Sequence, residues 1–181
     1  MDKKQKQNLE NLFKTHKFLD FKWIDPAEII VSQWVRMKCM YGCNEYGKTA
    51  VCPPFGPTVD ESRKFFDEYQ EGIVFHFEKQ VKKPEDRFAW TKEINQRLLN
   101  LEREVFLSGF QKTFLLFMDS CSLCKSCAEE KISCKLPKQS RPAPEALAVD
   151  VYKTVTKIGY PIKVLSDYSQ TMNRYSFLLI E

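Results

Sequence analysis

The chain has 181 residues, a formal net charge of +4, 43% hydrophobic and 29% charged residues, and 14 Phe, 7 Tyr and 3 Trp. Such apolar content supports a packed core and excludes a disordered chain, and the length fits a single domain over residues 1–181. The longest uncharged apolar run, Thr113 to Met118, is far short of the roughly 20 residues of a membrane helix, and the basic start Met1–Gln7 leads into charged amphipathic sequence without an apolar secretory core, so a soluble cytoplasmic chain is expected.

Leu9, Leu12, Phe13 and His16 fall at i, i+3, i+4 and i+7 and predict an opening amphipathic helix. A strand is predicted from Glu28 to Met37, ending just before the first cysteines. Thr58-x-x-Glu61 has capping-box form ahead of Phe65, Phe66 and Tyr69, so a short helix follows, with Gly72 as its stop. A strand over Ile73 to Phe77 contains His76, read as a satisfied core histidine and not as a ligand. Ile94, Leu98, Leu101 and Val105 share one face of a long helix from about Asp86 to Ser108, closed by Gly109. Thr113 to Met118 reads as a strand. Lys135 to Pro144, with three prolines, is the one linker-like stretch, and Pro144 opens a helix on which Leu147, Val151, Val155 and Ile158 align before Gly159. Pro161 to Leu165 and Tyr175 to Ile180 complete the strands. This order predicts an α/β or α+β domain in which βαβ units build a mixed sheet with flanking helices, the last strand being antiparallel.

All seven cysteines fall in two groups, Cys39, Cys43 and Cys52 in a loop of about 38–57, and Cys121, Cys124, Cys127 and Cys134 in a loop of about 120–142. An odd count without a secretory signal argues against a disulfide framework. In the second group C-x2-C-x2-C lets one tight loop wrap three corners of a [4Fe-4S] cube, as ferredoxin loops do, and Cys134 supplies the fourth thiolate. Zinc also accepts four cysteines, but its ribbons pair two knuckles across a longer spacer. The first group offers three thiolates, with Gly42 and Gly47 between them and Pro53 after Cys52. It fits a second cluster with one iron open to substrate, water or a non-cysteine ligand, a zinc or iron site completed by another residue, or reduced structural thiols. Glu45, and after it Asn44, are the nearest residues that could complete it. C-x3-C also begins the radical-SAM signature, but the third cysteine comes eight residues later instead of two.

Arg36, Lys38 and Lys48 flank the first group and Lys125 and Arg141 the second; cations beside cluster sulfurs raise reduction potentials, whereas isolated Lys and Arg are ordinarily solvated charge. If the strands leading into the two groups are parallel neighbours, both loops meet at one sheet edge. The segment Val35-Arg36-Met37-Lys38-Cys39-x3-Cys43-x3-Gly47-Lys48-x3-Cys52-Pro53-Pro54, with Cys121-x2-Cys124-x2-Cys127-x6-Cys134-x6-Arg141-Pro142-x2-Glu145-Ala146, resembles the predicted metal-binding proteins of the DUF2284 family, from about residue 25 to the end of the chain. That resemblance implies an iron–sulfur protein of an anaerobe and no particular reaction. Ala143 stands where similar proteins carry Ser.

The expectation is therefore an iron–sulfur protein with one or two [4Fe-4S] clusters, serving electron transfer or Lewis-acid chemistry with a redox partner protein or a small-molecule substrate. The rival is a zinc-stabilised adaptor module. The scattered lysines form no basic stripe, so no nucleic-acid partner is expected. No glycine-rich phosphate loop, nicotinamide or flavin fingerprint or Ser/His/Asp triad is present. With only His16 and His76 available, histidine acid–base catalysis is not expected, and whether the chain is an enzyme stays open.

Overall fold

The computed structural model describes residues 1–167 and 169–181. In chain order the elements are α1 (Lys3–Thr15), β1 (Phe21–Ile24), a 3-10 turn (Pro26–Glu28), α2 (Gln33–Gly42), α3 (Val59–Asp67), β2 (Gly72–Lys79), α4 (Asp86–Leu107), β3 (Phe114–Leu116), a second 3-10 turn (Pro144–Leu147), α5 (Val151–Lys157) and β4 (Met172–Leu179). The strands form one sheet in the order β1-β2-β4-β3, and every pairing among the described residues is antiparallel. One sheet with flanking helices was expected, but the βαβ reading is corrected. Helices cover both faces of this sheet, so its central strands read as continuous apolar runs whatever their direction.

Alternation along the strands divides the core. Ile73 and Phe75 of β2 and Leu178 of β4 meet Leu9 and Phe13 of α1 and Leu98, Leu101 and Val105 of α4 on one face. Val74, Phe177 and Leu179 meet Phe66 of α3 and Val151 and Val155 of α5 on the other. The capping box at Thr58 forms as predicted, its hydroxyl accepting from the Glu61 N–H while Glu61 accepts from the Thr58 N–H. That helix ends at Asp67, and Gly72 opens β2 instead of stopping α3.

Three other expectations change. The predicted strand Glu28 to Met37 is mostly the helix α2, and its β-branched start contributes only a bridge from Val31 to Val149. Pro161 to Leu165 pairs with no strand, because β2 and β3 already occupy both edges of β4. The helix from Pro144 is broken at Ala148, whose φ of 59° is left-handed, and α5 restarts with Asp150 accepting from the Lys153 N–H at 3.0 Å. The short strand β1 had a readable signal, Phe21 and Trp23 alternating with Lys22, that the sequence reading passed over.

The outer edge of β3 is closed by side chains. Buried Glu102 of α4 accepts from the Leu115 N–H at 2.9 Å and from Arg141 Nε at 2.8 Å, Asn95 accepts from the Met118 N–H at 3.2 Å, and the Phe117 N–H donates to Pro142 O at 2.8 Å. These bonds satisfy an otherwise open strand edge and fix both ends of the segment carrying Cys121 to Cys134.

Candidate metal centre

Cys39 lies on the last turn of α2, and Cys43 is the residue that ends the helix, so the loop expected at 38–57 begins one turn later. Beyond Cys43 the chain folds into consecutive turns: Tyr46 N–H to Cys43 O, Lys48 N–H to Glu45 O, Cys52 N–H to Thr49 O and Phe55 N–H to Cys52 O, each between 3.1 and 3.3 Å. Gly47, at φ 71°, turns its N–H onto Pro53 O at 2.9 Å and draws Cys52 back toward Cys43. The Pro53–Pro54 peptide bond is cis.

These turns bring Cys39, Cys43 and Cys52 to the wall of one cavity of about 270 Å³. Glu45 joins them there, together with Arg87 from the first turn of α4, Asp119 beyond β3, and Glu145 of the Pro144–Leu147 turn. Arg87 Nε and Asp119 Oδ2 form an ion pair at 3.3 Å. Burial pushes the Cys52 thiol up to about 11, against a hydrogen bond from Thr49 and with help from the Cys43, Cys39 and Glu45 charges. Cys39 is raised as well, by burial first and then by Cys43 and Glu145, while Arg36 opposes. Glu145 is exposed and borders three cavities. Desolvation by the atoms packed around it pushes its carboxyl up, its own backbone N–H opposes that, and Asp119 adds to the rise while Arg174 opposes it.

Cys121, Cys124, Cys127 and Cys134 line a second cavity of only about 30 Å³. Burial raises the Cys121 thiol, and the backbone N–H groups of Leu123 and Arg141, which favour its charged form, oppose that. The Ala50 N–H donates to Cys127 Sγ at 3.4 Å. Mutually repelling thiols that receive main-chain N–H groups suit a cation or a positively charged core, which compensates the thiolates on binding. All seven cysteines are unpaired thiols. Among the described residues no three His, Cys, Asp or Glu side chains converge tightly enough to hold a single ion. The thiols thus share cavities without meeting at one point.

The chain belongs to the DUF2284 family of predicted metal-binding proteins. The match covers residues 22–180 and takes in both cysteine groups. No curated protein and no solved structure matches the chain.

The two cavities adjoin along two stretches of chain. Ala50 and Val51 border the small cavity and Cys52 the large one, while Asp119 and Ser120 border the large one and Cys121 the small. The condition for the two loops to share one sheet edge, parallel neighbouring strands, is not met, and the two groups adjoin through these segments instead.

Several flanking groups have other duties. Arg36 donates to Pro57 O at 2.8 Å and Ala146 O at 3.0 Å, Arg141 pairs with Glu102, and Lys38 lies over the Trp34 ring. His76 contacts Asp20 and Asn173 at 2.6 and 2.8 Å, which satisfies both ring nitrogens, and His16 pairs with Glu104 at 3.1 Å. Arg87 is far from Cys39 to Cys52 along the chain and carries no motif, and Glu145 stands in the motif of the second cysteine group, so nothing in the sequence ties either to the first. Asp119 stands two residues from Cys121 yet serves the other group's cavity, a placement no spacing rule reveals.

Proposed function

We propose that the chain is one metal-binding domain and an iron–sulfur protein. In this reading Cys121, Cys124, Cys127 and Cys134 hold a closed [4Fe-4S] cluster, and Cys39, Cys43 and Cys52 hold a second with one position not taken by cysteine. The observation that carries the reading is the contrast in room: four thiols border about 30 Å³, and three border about 270 Å³. Four cysteines that take every ligand position suit a carrier of electrons, and three beside a larger cavity suit a centre that meets a small molecule. Such clusters supply one-electron transfer, and an iron with an open position supplies Lewis acidity.

The chain's own residues give these centres their surroundings. The Ala50 N–H donates to Cys127 Sγ of the four-cysteine cage, and the Leu123 and Arg141 N–H groups favour the charged form of Cys121, which together stabilise the more negative, reduced state. The segment from Ala50 to Cys52 supplies a short covalent path between the two groups, which favours electron transfer from one to the other. Arg87 and Asp119 place fixed charges on the wall of the larger cavity, where they would orient a polar ligand. An anaerobic cytoplasm is the setting that suits exposed thiolate-bound iron.

Iron, zinc and acid-labile sulfide are to be measured per chain on protein purified without oxygen, with EPR after dithionite reduction. About eight irons with matching sulfide are expected for two clusters. About four would restrict the cluster to the Cys121–Cys134 group, and zinc without sulfide would replace the redox reading by a metal-stabilised adaptor.

A further inference from the structure

The three-cysteine group lacks a fourth cysteine, and three carboxylates share its cavity: Asp119, which is paired with Arg87, and Glu45 and Glu145, which are not. We propose that Glu145 supplies the displaceable fourth ligand of the three-cysteine centre, giving up its place to a small ligand that enters the adjoining cavity. The proposal rests on that group holding a cluster.

Three observations single out Glu145. The first is its anchorage. Arg36 and Cys39 stand one turn apart on α2 and both reach the turn that carries Glu145, Arg36 Nη2 donating to Ala146 O at 3.0 Å and Cys39 Sγ approaching Glu145 O at 3.8 Å. The Ser32 N–H adds a bond to Ala148 O at 2.9 Å, and Pro144, Ala146 and Leu147 are buried. The helix that presents the first thiol therefore fixes the position of the Glu145 backbone. A ligand on a rigid element is held more accurately than one on a loop.

The second observation is an unused carboxylate. Among the described residues no other residue holds the Glu145 side chain by a hydrogen bond or an ion pair, although Arg87 and Arg174 border the same cavities. Arg87 is instead occupied by Asp119. The third is the shape around it. Glu145 borders the cavity of the three thiols and a further one that also holds Cys39 and Cys43, so it lines both spaces that these two thiols face. Glu45 borders only the first of these. A carboxylate is also a poorer match for thiolate-bound iron than a fourth cysteine, which makes it the ligand that exchanges.

The test compares wild-type protein with E145A, the isosteric E145Q and E45Q, all purified without oxygen. Iron per chain, EPR of the reduced protein and titration with sodium cyanide as a probe of a free iron position are recorded. The expected result is a wild-type content of about eight irons, an altered second EPR signal in both Glu145 variants with the Cys121–Cys134 signal unchanged, and wild-type behaviour in E45Q. If Glu145 occupies the position nine-tenths of the time, its removal tightens cyanide binding about tenfold. E145Q preserves size and shape, so an altered signal in that variant is not a folding defect. Unchanged EPR and cyanide affinity in both Glu145 variants, or the same changes in E45Q instead, would overturn the assignment while leaving the two-cluster reading in place. A wild-type content of about four irons would remove the three-cysteine centre itself, and the role of Glu145 with it.

Discussion

The two cysteine groups use the same side chain and differ in how the chain delivers it. Cys121 to Cys134 come from one continuous segment tied down at both ends of the β3 edge, and their cavity holds about 30 Å³. Cys39, Cys43 and Cys52 come from a helix end and a run of turns, and α4, the segment after β3 and the Pro144–Leu147 turn complete their cavity of about 270 Å³. A segment that supplies its own ligands can close on itself. A group walled by distant elements keeps room for something else, and this is how one small fold can carry both a closed site and an open one.

The strongest way to break the comparison is to empty each group separately. Cys124→Ala should lose about four irons with their sulfide and leave the second EPR signal in place. Cys52→Ala should do the reverse. Loss of all the iron in either variant would show that the groups act as one site, and unchanged iron in Cys124→Ala would refute the cluster assignment there.

Much of this contrast was readable in the sequence, for reasons that differ between fold and site. The capping box at Thr58, the face of α4 and the strands around Ile73, Leu115 and Phe177 are local signals, and the elements lie where those signals are. Strand direction is not local: a sheet covered on both faces gives the same apolar runs parallel or antiparallel, so the βαβ reading failed at that point. Glu28 to Met37 misled because Ile29, Ile30 and Val31 have strand character while the residues after Ser32 form α2. At the site, spacing grouped the cysteines because each group is nearly contiguous. Arg87, Asp119 and Glu145 reach the larger cavity only through tertiary packing, which no spacing rule encodes.

The frame of the closed group offers a smaller effect. Glu102 is 6% exposed and satisfies both the Leu115 N–H and Arg141, so Glu102→Ala leaves two donors without their partner. A loss of about 3 kcal/mol is expected, measured by denaturant unfolding of the anaerobic protein. Because Arg141 ends the segment carrying the four cysteines, their iron should also become easier to chelate than that of the other group. Equal chelation rates at both groups would mean that the β3 edge does not set the difference between them.

Gly47 tests the open group with the mildest change. Its φ of 71° is left-handed, and a Cβ there would come no closer than 4.0 Å to Pro54, so Gly47→Ala is penalised by backbone strain and not by a clash. That strain costs about 1 kcal/mol, which lowers the melting temperature of a chain of this size by about 2–4 °C. Part of the strain can be released by opening the turn that brings Cys52 back toward Cys43, since only the Gly47 N–H bond to Pro53 O closes it there. The variant should therefore lose iron from the three-cysteine group while the Cys121–Cys134 signal keeps its wild-type intensity. A melting shift with equal iron loss from both groups would show that the adjoining segments 50–52 and 119–121 bind the two sites into one cooperative unit, so that the turn cannot loosen one without the other.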